Sequence, residues 1–192
     1  GEDYAAIGIL AYRQCIAGHG LVQDTDGDLL MFSKENTSNG CIGTVDVTFP
    51  ASPFFLLFSP EMLKAQVRPI LEYASMPRWR FPFAPHDVGT FPLANGQVYG
   101  GGERDETNQM PVEESANMLL MIAAIGRTDP DFAKPFMTTL GKWAGYLRKE
   151  GLDPGEQLCT DDFTGHLAHN ANLSIKAIVA LRAYAEICEQ TK

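Results

Sequence analysis

The stretch Gln109-Met110-Pro111-Val112-Glu113-Glu114-Ser115-Ala116-Asn117-Met118 decides how the chain is read. Pro111 suits the first position of a helix, where its missing N–H is not needed. Glu113 and Glu114 follow in the first turn, where the helix dipole favours negative charge. From Met118 to Ile125 the sequence is Met-Leu-Leu-Met-Ile-Ala-Ala-Ile, apolar nearly all round, which predicts a helix buried on more than one side. Asn117 lies one turn beyond Glu113 and three residues beyond Glu114, so its amide shares a face with one or both acids. Two readings stay open for the paired acids: dipole partners that cap the helix, or chemistry delivered at its open end. A helix N-terminus holds a carboxylate ionised, so these acids are expected to serve as base, nucleophile or ligand, with a general acid supplied from elsewhere.

Outward from this stretch, the chain reads as helices joined by short turns and long polar loops. Asp3 to Gly18 places Ala5, Ala6, Ile9, Leu10, Arg13, Ile16 and Ala17 at helical spacing. Asp24, Asp26, Asp28 and Glu35 match positions 1, 3, 5 and 12 of a calcium loop, but Leu29 stands where glycine is required, which favours a plain acidic turn. Leu29-Leu30-Met31-Phe32 reads as a short extended segment. Ile42 to Phe49 is β-branched and alternating, predicting a brief strand or extended wall segment, with Asp46 in its middle either solvated or buried with partners. Ser52-Pro53 and Ser59-Pro60-Glu61 read as helix starts, the second helix running to about Ser75 before Pro77. Thr128-Asp129-Pro130-Asp131 opens a helix striped with Phe132, Phe136, Met137, Leu140, Trp143 and Leu147 and ending at Gly151, expected to pair antiparallel with its predecessor. The last helix runs from about Leu167 or Asn170 to Ile187.

Between the second helix and the central one, Trp79 to Asn108 holds Trp79, Phe81, Phe83, Phe91 and Tyr99, the His86-Asp87 pair, a triple glycine and three acids. Aromatic rings and carboxylates together suit a pocket for a polar substrate, or the rings plug gaps above the core. A second polar loop ends in Thr160-Asp161-Asp162-Phe163-Thr164-Gly165-His166. The candidate catalytic residues are therefore Glu113, Glu114, Asp161 and Asp162. Asp46, Trp79, His86, Asp87, Asn117 and His166 are candidates for substrate binding.

Composition narrows the function. With 192 residues, 45% apolar and 20% charged, one sizeable core is expected and therefore a single domain, 1–192. A net charge of −9 without any basic run argues against nucleic acid, and no apolar run is long enough for a bilayer. Cys15, Cys41, Cys159 and Cys188 are scattered without a C-x-x-C pair, so neither a zinc site nor a redox dithiol is indicated, and no metal or cofactor is expected. S-x-x-K and G-x-S-x-G motifs are absent, which argues against acyl-enzyme chemistry.

Five motifs in order, Phe32-Ser33-Lys34-Glu35, Ser38-Asn39-Gly40 with Thr44-Val45-Asp46-Val47, His86-Asp87-Val88-Gly89, Met110 to Met118, and Thr160-Asp161-Asp162-Phe163-Thr164-Gly165, resemble the central helical-hairpin domain of the glutaminase A family. The resemblance implies an all-α fold of α/α hairpins, part of an (α/α) toroid of six-hairpin glycosidase type with at most short strands. It also implies a hydrolase converting L-glutamine to L-glutamate and ammonia, and a secreted or cell-envelope multidomain protein of which this chain is an excised portion, with the other domains of the parent chain as partners. Carboxylates and aromatics on such a rim suit glycoside hydrolysis by an inverting acid–base pair as well. A non-catalytic helical module that binds a glycan or another domain is the third reading.

Overall fold

The central helix anticipated from Pro111 is α4 of the computed structural model, which describes residues 1–35, 37–160, 163 and 165–192. The helix spans Pro111–Gly126, and 13 of its 16 residues are buried, as its all-round apolar sequence requires. Helix α2 (Val45–Phe58) and helix α6 (Ala171–Gln190) flank it, and α3 (Pro60–Ser75) and α5 (Met137–Glu150) close over it, α6 making the most extensive contact. Ala177, Ala180 and Ala183 form the buried stripe of α6 with Leu173 and Ile187, small side chains that bring the two helices close together. Asn170 caps α6 by accepting from the N–H groups of Asn172 and Leu173. The core joins Leu63, Ile70 and Leu71 of α3, Leu119, Ile122 and Ile125 of α4, and Leu140 and Trp143 of α5.

Around this layer the remaining pieces are small. Helix α1 (Glu2–Ala17) buries none of its residues, so the apolar positions that predicted it do not form a core face. Tyr12 packs edge-on against Phe54 and Phe58 of α2. Strands β1 (His19–Gln23) and β2 (Leu29–Ser33) pair antiparallel, with Leu21 opposite Met31, and β2 packs on α3. The acidic turn between them is an Asx turn: Asp24 accepts the N–H groups of Asp26 and Asp28. Among the described residues the fold is thus all-α with one hairpin, and no helix is long and apolar enough to cross a membrane.

Two element boundaries differ from the sequence reading. Ile42 to Phe49 is not a strand: α2 begins at Val45, and Ser52-Pro53 lies inside it rather than at a start. Val45, Thr48, Ser52 and Phe55 form one buried stripe at helical spacing, so packing overrides the β-branched preference and both internal prolines. The helix expected from Thr128 starts at Met137 instead, after a 3-10 turn at Lys134–Phe136 that contains Pro135.

The connection from Trp79 to Asn108 is threaded into the core. Asp87, fully buried, accepts the backbone N–H groups of Gly89, Val98 and Tyr99 and so ties three points of the loop together. Gly89 is obligatory there: at φ 147° any Cβ would sit 2.1 Å from the Leu93 carbonyl oxygen. Ser115 of α4 accepts from Ala84 N–H at 3.0 Å, fixing the same loop to the central helix.

Candidate active site

Glu113 and Glu114 stand third and fourth in α4, and both are fully buried. Their partners are side chains and not the free N–H groups of their own helix end, which removes the capping reading. The Val112 N–H is instead taken by Gln157 Oε1 at 2.9 Å. Asn117, one turn on, donates to Glu113 Oε1 at 2.9 Å and to Glu114 Oε2 at 3.5 Å, as their spacing predicted. Glu113 Oε1 also accepts the Thr160 hydroxyl at 2.5 Å and is ion-paired with Lys176 of α6. The Lys176 ammonium lies 4.9 Å over the Phe49 ring of α2, so three helices meet at this point.

Asp46 is brought to the same place because α2, like α4, presents its first turn here. The Val45 N–H donates to the His86 carbonyl at 2.9 Å, seating the helix end on the His86-Asp87 loop. His86 Nε2 lies 3.6 Å from Asp46 Oδ1, and its Nδ1 lies 3.0 Å from Asp87 Oδ2. The imidazole stacks on Tyr99 at 4.0 Å between centroids. One ligand-capable atom from each of Asp46, His86 and Glu114 lies within 4.8 Å of the other two.

The electrostatics reverse one expectation. Burial pushes the Glu114 carboxyl well above the ordinary carboxylate range, the neighbouring Asp46 and Glu113 carboxylates add to the effect, and Lys176 and Asn117 only partly oppose it. The helix dipole does not hold this acid ionised, because the first turn of α4 is shut away from water and shared with like charges. Glu114 is therefore the group suited to carry a proton, the role the sequence reading assigned elsewhere. Asp46, with 16% of its side chain exposed, forms the rim of the cluster, while His86 is only 3% exposed.

The other candidates divide. Asp87 is spent on backbone donors and on His86, so it orients the loop and the imidazole. Trp79 is a core residue: it packs against Tyr73, Phe81 and Phe83, and its indole N–H donates to the Phe83 carbonyl at 2.8 Å. His166 is exposed in the loop before α6. Asp161 and Asp162 lie outside the described residues. The sequence reading overlooked Lys176, although a lone lysine inside Leu173-Ser174-Ile175-Lys176-Ala177-Ile178-Val179 is a visible anomaly, since a cation there needs a partner.

Packed helices thus bring together carboxyl groups from the first turns of α2 and α4, Glu113 and Glu114 buried and Asp46 at the rim. The chain belongs to the glutaminase A family: the family model for the glutaminase A six helical-hairpin domain matches residues 1–192. It is 39% identical over 194 residues to a glutaminase A of Aspergillus oryzae, covering 100% of this chain and 27% of that protein. A probable glutaminase of Arthroderma benhamiae is 31% identical over 245 residues, covering 97% of this chain and 28% of the relative. The chain thus spans roughly a quarter of the length of the curated relatives it matches.

Proposed function

We propose that the chain is the helical-hairpin part of a longer secreted or envelope hydrolase that converts L-glutamine and water to L-glutamate and ammonia. The observation that carries the proposal is Glu114: a fully buried carboxyl suited to hold a proton, beside the rim carboxylate of Asp46. In this reading Asp46 takes a proton from the attacking water as the C–O bond forms. Glu114 then gives its proton to the departing amide nitrogen as the C–N bond breaks, and the proton on Asp46 returns to Glu114 through solvent. Asn117 and His86 position the two acids.

The test is ammonia release from glutamine by the full-length protein. Glu114→Gln keeps the shape of the side chain and removes its proton, so kcat should fall about 10²- to 10⁴-fold while substrate still binds. Undiminished turnover in that variant refutes the assignment. An acid beside a carboxylate also suits glycosidic bonds, and release of reducing sugar from a glycan panel would identify that reaction. That reading pairs one acid of Glu113 and Glu114 with Asp161 or Asp162, across the roughly 6.5–9.5 Å of an inverting pair.

A further inference from the structure

His86 points to a second use for residues that the proposed hydrolysis employs. Its Nδ1 faces Asp87, a carboxylate itself fixed by three backbone N–H groups, and its ring is stacked against Tyr99. A carboxylate that fixes one imidazole nitrogen and leaves the other facing acids is how metal-ligating histidines are commonly held. Here the second nitrogen, Nε2, faces Asp46, and Glu114 completes a group of three ligand atoms within 4.8 Å of one another. Ligands of a tetrahedral ion at about 2.1 Å stand roughly 3.4 Å apart, so a contraction on the order of 1 Å closes this group on an ion.

A second observation is independent of that grouping. Glu114 Oε1 has no hydrogen-bond partner although the residue is fully buried, and the same holds for Glu113 Oε2 and Asn117 Oδ1. A buried carboxylate oxygen without a donor beside other acids is costly, and a cation held by Glu114 relieves that cost.

We propose that Asp46, His86 and Glu114 bind one divalent transition-metal cation, with Zn2+ as its representative. One imidazole with two carboxylates suits this class, whereas Mg2+ and Ca2+ favour shells built from oxygen alone. The partly exposed Asp46 provides the way in. The alternative grouping of Cys41, His86 and Asp87 offers less, because the Asp87 oxygens already accept backbone N–H groups. The ion site does not depend on the hydrolase reading. Glu114 cannot hold a catalytic proton and an ion together, so an occupied site withholds the acid.

The test uses the full-length protein, stripped with a chelator, dialysed, and titrated with Zn2+ against a chromophoric competitor. Asp46→Asn and Glu114→Gln should each lose one equivalent of bound Zn2+ relative to the parent, and Asp87→Asn should weaken that equivalent by about 10- to 100-fold. Asp26→Asn, in the exposed hairpin turn, should bind as the parent does. The X-ray absorption difference between the parent and Asp46→Asn should show one imidazole nitrogen with oxygens. Full uptake by both ligand variants, sulfur in that shell, or displacement of Zn2+ by equimolar Mg2+ or Ca2+ overturns the proposal. If Glu114→Gln fails to fold, Asp46→Asn at the rim decides the matter alone. Ammonia release is measured separately on the ion-free protein: its absence there refutes the hydrolase reading and leaves the ion site standing.

Discussion

Replacing Lys176 with methionine isolates how much the site depends on the cation paired with Glu113. Methionine keeps an apolar side chain of similar length and removes the ammonium from over Phe49 and from a carboxylate that is 0% exposed, the lysine side chain itself being 14% exposed. Removing one member of a buried ion pair costs about 3–5 kcal/mol, because the other charge is stranded. Glu113 retains the Thr160 hydroxyl and the Asn117 amide, which places the expected loss near the low end, about 3 kcal/mol. For a domain of this size each kcal/mol lowers the melting temperature by about 2–4 °C, so a drop of about 6–12 °C is expected. A double-mutant cycle with Glu113→Gln separates the pair from its surroundings: Lys176→Met combined with Glu113→Gln should recover about 2 kcal/mol relative to the sum of the single losses. Thermal melting at pH 7 followed by circular dichroism suffices. A Lys176→Met variant that melts within 2 °C of the parent, or a cycle that is simply additive, refutes the claim that Lys176 stabilises the buried Glu113 carboxylate.

Other expected outcomes follow from single groups. Tyr73→Phe removes a hydroxyl that donates to Glu103 at 2.6 Å and accepts from Gln97 N–H at 3.0 Å, so urea unfolding should show a loss of about 1–3 kcal/mol. Gly89→Ala forces a side chain into the Leu93 carbonyl and should destabilise the protein by more than about 2 kcal/mol, or leave it insoluble; a parent-like melting temperature would contradict the geometry. His19 gives a pH dependence. Its Nδ1–H donates to the Cys15 carbonyl and its Nε2 accepts from the Gln66 amide, and burial is the main cause that lowers its pKa, with Lys34 adding to the effect and the Cys15 bond opposing it. The folded value lies below the unfolded value of about 6.5, so this stabilising contribution is complete above that pH and is lost as pH falls through the folded pKa. The stability difference between the parent and His19→Gln should therefore shrink on acidification below about pH 6.5, and a difference constant from pH 7.5 to 5 would contradict the assignment.

Where local chemistry and packing agree, the sequence was a good guide. Pro60 opening α3, Pro111 opening α4 and Asn170 capping α6 mark true helix starts because a proline or an amide at those positions answers a need of the backbone itself. Asp46 was read on the wrong element because Val45, Val47 and Thr48 favour strands and two prolines follow, while the stripe that buries α2 becomes decisive only once α4 is beside it. The pairing of Asn117 with both glutamates was legible from spacing alone. The proton affinity of Glu114 was not, because it depends on a carboxylate 68 positions earlier and on complete burial, neither of which leaves a local trace. Trp79 reads like a ligand platform from its neighbours, yet its N–H is needed to satisfy a carbonyl inside the core.

Helix α1 carries a consequence for how the protein behaves in solution. Tyr4, Ile7 and Ile9 are 82%, 66% and 69% exposed, and a helix of 16 residues is marginal in water without burial. Its amides should trade protons with deuterated solvent far sooner than those of α4, which open only when the whole core does. A protease added in limiting amount should accordingly nick the first seventeen residues first and leave the acid cluster whole.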